Sequence, residues 1–323
     1  GAGHEAGQRP LPGRMVPPQG TGSGGPVLQP RSTAPDRSPD RGHTWEIISP
    51  DLTSNDPAKQ KQADSGGLTR DVTSAENHTT IMCIAPSPIK KNVIWVGTDD
   101  GNVQLTTDGG KTWKPVSNNI KGVPPHSWVP HVEASKFDPA AAFAVFEDHR
   151  RANWTPYAFM TEDEGNTWKS LITKDIDGFV HVIEQAPVNK NLLFLGTEFG
   201  LFISPDRGSQ WFKWTSGFPT VPVTDIAVHP RDHDLIIGTH GRSIFILDDI
   251  SFLRELDPSL LDKSLHLFKP NDVFQFRISQ ASPYSTVGDS EFPGPNRLYG
   301  ALFTFYFNPG DASPPTPQNP GNN

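Results

Sequence analysis

The chain has 323 residues, enough for one large domain or two small ones, and only 34% of them are apolar. Its 29 Gly and 33 Pro exclude a helical bundle and leave strands and turns to carry the fold. With 28 basic and 36 acidic residues the net charge is −8, so no general field draws nucleic acid or anionic lipid.

In chain order, residues 1–37 come first, with 8 Gly, 7 Pro and almost no large apolar side chains. Such a segment buries too little surface to offset its ordering entropy, so it is expected to be disordered. It also lacks the apolar core of a signal peptide. From 38 to 250 the chain is dense in β-branched and aromatic residues, cut at short intervals by Gly, Asp, Asn and Pro, which predicts many short antiparallel strands. Over 251–307 the sequence predicts a short helix, Ser251–Leu261, and closing strands. The tail at 308–323 returns to Gly and Pro and is expected to be disordered. No apolar run is long enough to span a membrane, and the single Cys83 excludes an internal disulfide or a Cys-cluster zinc site.

One octapeptide recurs. It reads Ser-Pro-Asp-Arg-Gly-His-Thr-Trp at 38–45, Thr-Thr-Asp-Gly-Gly-Lys-Thr-Trp at 106–113, Thr-Glu-Asp-Glu-Gly-Asn-Thr-Trp at 161–168, and Ser-Pro-Asp-Arg-Gly-Ser-Gln-Trp at 204–211. The tryptophans Trp45, Trp113, Trp168 and Trp211 step by 68, 55 and 43 residues, a period that points to a propeller or a related array. Asp40, Asp108, Asp163 and Asp206 can accept from the backbone of their own turn. Gly42, Gly110, Gly165 and Gly208 supply the positive φ of a tight hairpin, and the indole packs over the sheet. Every position has a folding job, so these residues are expected to be structural.

A second unit lies upstream of the octapeptides: strand, Pro-containing turn, then a buried strand ending in Gly-Thr. The Gly-Thr pairs begin at Gly97, Gly196 and Gly238, and Phe137-Asp-Pro…Phe143-Ala-Val-Phe fills the intervening place without one. Each blade then reads as four strands with the octapeptide as the turn from third to fourth. The expected fold is all-β: a partial, open or incomplete β-propeller of about four four-stranded blades. Three are well formed, at about 78–117, 129–172 and 180–214. A fourth at about 222–248 has no octapeptide, and a strand near Leu265–Phe268 is a candidate to complete it. Of the blade owning the first octapeptide, only Trp45–Ile48 is expected to survive.

Turns between second and third strands, and the connectors between blades, share the face opposite the octapeptides. That face collects Asp99, Asp100, Glu198, His240 and Arg242, with His126, Trp128, His131, Asp175 and Asp177 from the connectors. Asp100 and Glu198 are weak candidates for a catalytic pair, since a glycosidase needs two carboxyls about 5–9.5 Å apart. The plainer reading is that acids in Gly-containing turns are simply solvated. Trp128 could stack on a sugar if exposed, or pack between blades. His229 and His233 flank Pro230 in a turn, not a helix, so no metal site is expected, and no cofactor.

The octapeptides resemble Asp-box (BNR) repeats, found in sialidases, sortilin-type receptors, photosystem II assembly factors and xyloglucan-hydrolysing glycoside hydrolases. The stretches Glu76-Asn-His-Thr-Thr-Ile, Val96-Gly-Thr-Asp-Asp-Gly-Asn-Val-Gln, Ser127-Trp-Val-Pro-His-Val-Glu-Ala-Ser and Gly238-Thr-His-Gly-Arg-Ser-Ile-Phe-Ile-Leu-Asp-Asp-Ile are similar to bacterial BNR proteins with a sortilin-N-terminal-like domain. This resemblance implies a secreted or periplasmic fragment of a larger BNR-repeat protein. It implies a noncatalytic module binding protein or glycan on its loop face, or alternatively a xyloglucanase-like glycoside hydrolase acting on a β-glucan. Incomplete blades also imply a second chain that supplies the missing ones.

Overall fold

The computed structural model describes residues 27–30, 33–57, 59–60, 78–256, 258–273 and 300–308. The chain divides into two compact units: one runs to Val228 and takes in Ile236–Ile246, the other holds His229–Leu235 and the residues from Leu247.

The first unit is a partial β-propeller. Its first sheet has three strands, β1 (Val27–Pro30), β2 (Pro35–Ser38) and β3 (Glu46–Ile47). Blade A holds β4 (Ile81–Pro86), β5 (Ile94–Thr98), β6 (Val103–Thr106) and β7 (Lys114–Pro115). Blade B holds β8 (Trp128–Ala134), β9 (Ala142–Asp148), β10 (Asn153–Thr161) and β11 (Lys169–Ser170). Blade C holds β12 (Val180–Gln185), β13 (Leu193–Thr197), β14 (Gly200–Ser204) and β15 (Phe212–Lys213). Sheet D has three strands, β16 (Val223–Val228), β17 (Leu235–Thr239) and β18 (Ile244–Leu247), with the unit boundary crossing the ends of the last two. The first strands β4, β8, β12 and β16 neighbour one another in succession.

Two expectations need correction. The composition of 1–37 predicts disorder, yet β1 lies within it and β2 begins there. Leu28 provides the reason: it buries against Ile48, Leu52, Ile81 and Ile84, an apolar anchor that composition alone hides. The prolines are tolerated because Pro30 and Pro35 face each other at the end of the β1–β2 ladder, where a missing N–H costs least. The remainder of 1–37, and the tail from 309, lie outside the described residues. The second correction concerns Leu265–Phe268, which does not complete sheet D. Its strand β19 (Leu265–Leu267) pairs instead with β20 (Phe305–Phe307) in a two-stranded ribbon of the second unit. That unit also carries two 3₁₀ helices, Ile250–Glu255 and Pro258–Asp262, where one short helix was expected.

Period-two alternation builds the core. Along β9, Ala144 and Phe146 face blade A with Trp95, Val129 and Phe159, while Phe143 and Val145 face blade C with Ile183, Leu195 and Phe202. Both faces are buried, so residues 142–146 of the strand are all apolar, as a central layer requires. The Gly-Thr glycines permit this stacking. A Cβ on Gly97 would stand 2.6 Å from Val129 Cγ1 of blade B, and one on Gly196 would stand 2.6 Å from the Val223 carbonyl oxygen of sheet D.

The octapeptides close the third-to-fourth turns identically four times. Backbone N–H groups of Thr44, Thr112, Thr167 and Gln210 donate to the Asp Oδ1 four residues earlier at 2.7–3.0 Å. The Gly42, Gly110, Gly165 and Gly208 N–H groups donate to the leading Ser or Thr hydroxyl at 2.6–3.0 Å. The hydrogen bonds from Thr44, Thr112 and Thr167 hold the Asp40, Asp108 and Asp163 carboxyls below the ordinary carboxylate range. Their stabilising effect is therefore present above about pH 4 and is lost as pH falls through the depressed folded-state values. The urea midpoint should drop steadily on acidification below that point, and Asp108→Asn should flatten the drop. An unchanged acid limb in the variant would contradict this assignment.

Three of these turns also lock onto the preceding sheet. Trp113 Nε1 donates to the Ile48 carbonyl at 3.0 Å, and Trp211 Nε1 donates to the Leu171 carbonyl at 2.8 Å. Trp168 makes a different contact, edge-on to Trp95 with ring centroids 6.2 Å apart.

Candidate functional site

The loop face gathers its chemistry at the junction of blades B and C. At the end of β9 the chain enters a 3₁₀ turn, His149–Arg151, closed by Ala152 in the left-handed region (φ 60°). Arg150 folds back so that its guanidinium lies 3.5 Å from the centre of the Trp128 ring while Nη1 donates to Glu147 Oε1. Arg151 donates to Asp148, and to the Pro125 carbonyl at 2.8 Å. Burial pushes the Glu147 carboxyl up, but the His149 ring, its Nδ1 3.5 Å from Oε1, and the charge of Arg150 outweigh it and hold the group below its ordinary value.

Blade C meets this turn with Phe179 and His181. The His149 ring stacks on Phe179 at 4.5 Å and 17°, and His181 stands edge-on to Phe179 at 4.7 Å. His181 bridges two acids from different blades: Nδ1 is 3.7 Å from Glu147 Oε2 and Nε2 is 3.3 Å from Glu198 Oε2. Trp154, at the start of β10, tilts against Phe179 at 5.8 Å and remains 60% exposed. Phe199 follows Glu198 in the β13–β14 turn, 42% exposed, over Gly178, where a Cβ would come within 2.8 Å of its ring. The outcome is an aromatic strip whose exposed rings are Trp154 and Phe199, with Phe179 buried, beside acids engaged by Arg150, Arg151 and His181.

Of the residues singled out from the sequence, Glu198 lies in this cluster and Trp128 lies under it. Trp128 is buried beneath Arg150, so it offers no platform; the exposed ring is Trp154. Asp100 belongs to the blade A turn and is committed there, accepting from the Ser54 N–H, the Thr98 hydroxyl and Asn102. The β5–β6 and β13–β14 turns that hold Asp100 and Glu198 are separated by all of blade B. Asp99 is buried and accepts from the Thr80 N–H at 2.7 Å; desolvation pushes its carboxyl up to about 7. His78 Nδ1, also buried, stands 3.9 Å from Asp99 Oδ2. His131 sits within β8, buried and paired in register with Val145, away from the turns. His240 and Arg242 are exposed in the β17–β18 turn.

Sequence reasoning missed Glu147, His149, Arg150, Trp154, Phe179 and His181. A signal was available: blade B carries Val145-Phe146 where blades A and C carry Gly-Thr, and Glu147-Asp148 with a His-Arg-Arg run follows. The break in the repeat marks the site. Among the described residues no cluster of His, Cys, Asp and Glu has metal-holding geometry, and no helix is long and apolar enough to cross a membrane.

No protein-family model matches the chain, and no curated protein does. Solved structures match its fold. An ancestral GH74 enzyme shares 15% identity over 72% of this chain and 28% of its own, with a TM-score of 0.50. The GH74 xyloglucanase from Xanthomonas campestris shares 17% over 70% of this chain and 35% of its own, TM-score 0.50. The GH74 enzyme from Niastella koreensis shares 9% over 74% of this chain and 36% of its own, TM-score 0.51. The chain therefore spans about a third of the length of these proteins, and the likeness is one of fold.

Proposed function

We propose that the chain is a noncatalytic interaction module that binds a glycan or a protein segment on the loop face of its propeller, with the aromatic strip at the B–C junction as the contact surface. The observation that carries this reading is the exposure of Trp154, against the buried Phe179, and of Phe199, over Gly178, near acids already engaged by Arg150 and His181. Ring faces of this kind stack on flat apolar ligand surfaces, and aromatic anchors dominate binding energies. Trp154→Ala should weaken binding at least about tenfold, roughly 1.4 kcal/mol. The measurement is calorimetry against a panel of soluble neutral polysaccharides and extended peptides, with melting temperature as the control for folding. Equal affinity in the variant and the parent would remove the strip from the account.

A glycoside hydrolase is the second reading, favoured by the fold likeness to GH74 enzymes. It requires a free acid and a free base, whereas Asp100 and Glu198 each have a partner already. Release of reducing sugar from a β-glucan, lost in both Asp100→Asn and Glu198→Gln, would decide for the enzyme. We place the module outside the cytoplasm, as its resemblance to secreted BNR proteins implies.

A further inference from the structure

His181 stands between two acids of different blades, and each of its ring nitrogens faces one of them. Nε2 is 3.3 Å from Glu198 Oε2 in the β13–β14 turn of blade C, and Nδ1 is 3.7 Å from Glu147 Oε2 at the end of β9 in blade B. A neutral imidazole has one N–H and one lone pair, so it can offer a proton to one carboxylate and must turn a lone pair toward the other. Only the imidazolium presents an N–H to both. The two acids differ in what else holds them. Glu147 is buried, takes a hydrogen bond from Arg150 and has His149 beside it; these contacts hold its carboxyl below the ordinary value and keep it ionised. The Glu198 side chain is 34% exposed, and among the described residues His181 is the partner of its carboxylate. Phe199 follows it over Gly178, while the Glu198 N–H bonds the Phe179 carbonyl at 3.1 Å, so this turn has a tied backbone and releasable side chains. Most other charged groups on β12 and the strands packed against it are committed elsewhere: Asp148 of β9 to Arg151, Glu133 of β8 and Glu184 of β12 to Lys136, and Asp225 of β16 to the Ile226 N–H. His131 is buried within β8.

We propose that His181 is a proton-operated clasp across the B–C junction, tying Glu198 to Glu147 as the imidazolium and releasing Glu198 to solvent as the neutral ring. Phe199 is set against the strip in the first state and loosened in the second, so the loop face takes its ligand more tightly on the acid side of the switch. The ligand effect rests on the loop-face reading; the clasp does not. Loss of the proton leaves two carboxylates with a single N–H between them. Glu147 keeps Arg150, so Glu198 is the one that gives way. The leaving proton goes to water, which reaches the ring because the His181 side chain is 17% exposed. Histidine is the side chain that changes charge between about pH 5 and 8, where the two acids remain carboxylates. His149 is the rival titrating group, but its Nδ1 faces Glu147 of its own blade, 3.5 Å from Oε1, and protonating it adds no tie to Glu198.

The test follows the full chain by NMR from about pH 5 to 8.5. The His181 ring nitrogens, assigned through His181→Gln, report protonation, and 4-fluorophenylalanine, assigned through Phe199→Leu, reports Phe199. The Phe199 fluorine resonance should move with the same midpoint as His181, and its H₂O/D₂O solvent shift should grow on the basic side. That movement should vanish in His181→Gln and fall at least about threefold in Glu198→Gln, where His181 still titrates. Glu198→Gln, at a partly exposed side chain, decides the matter if His181→Gln does not fold. A Phe199 signal that ignores the His181 titration overturns the proposal. So does a pH response that survives His181→Gln and is lost in His149→Gln. Calorimetry then uses the panel of neutral polysaccharides and extended peptides, the peptides free of histidine. Its tightest binder should lose at least about fivefold in affinity between about pH 5.5 and 8 with the parent, and nothing with His181→Gln. Equal affinity at both pH values with the parent overturns the proposed effect on the ligand. If no member of the panel binds, the loop-face reading fails, and the NMR titration still decides the clasp.

Discussion

Gly110→Ala should lower the unfolding free energy by about 2–5 kcal/mol, with collision adding to backbone strain. The glycine has φ +100°, where a side chain is strained, and an added Cβ would stand 2.2 Å from the Ile48 carbonyl oxygen and 2.8 Å from Ile48 Cβ. Neither neighbour can yield easily: Ile48 is in the core between the first sheet and blade A, and its carbonyl already accepts the Trp113 indole. Gly42→Ala provides the internal comparison. Gly42 has a similar φ of +95°, but among the described residues an added Cβ would meet only Trp45, at an ordinary 3.7 Å, so strain alone applies and about 1–2 kcal/mol is expected. Urea unfolding of the two variants separates the contributions. Equal losses would mean that the octapeptide glycines serve turn geometry only and have no part in joining blades.

Lys136→Ala should cost about 3–5 kcal/mol, because it leaves two acids buried together without their cation. Lys136 follows β8 and is almost fully enclosed. Its Nζ reaches Glu133, Glu184 Oε1 at 3.1 Å and the Gln185 carbonyl at 2.8 Å. Glu133 also accepts from the Gln185 N–H at 2.9 Å, and Gln185 accepts from the Ser135 hydroxyl at 2.9 Å, so the cluster joins blades B and C through both side chains and backbone. Burial alone would push the ammonium down, but the charges of Glu133 and Glu184 outweigh it and raise its affinity for the proton. A triple variant, Lys136→Met with Glu133→Gln and Glu184→Gln, removes the charges together and should recover much of the loss. If the triple variant were no more stable than Lys136→Ala, repulsion between uncompensated acids would not be the cause.

The blade order, the placement of the octapeptides between third and fourth strands, and the four repeated turns follow from the sequence alone. They do so because an Asp-Gly-Trp turn is a local object: its hydrogen bonds span four residues, as between Asp108 and Thr112. The period-two pattern of strands such as β9 is equally local. What the sequence left undecided is long-range. Whether Val27–Pro30 forms a strand depended on Leu28 finding Ile81 and Ile84 more than fifty residues later. Whether Trp128 or Trp154 was the exposed ring depended on Arg150 folding over the former. The candidate site itself exists only because His149 of one blade and Phe179 of the next stack face to face, a contact that no spacing within either blade encodes. Turns are written in neighbouring residues, but a surface between blades is written in which residues the stacking of sheets brings opposite one another, and that is settled by packing.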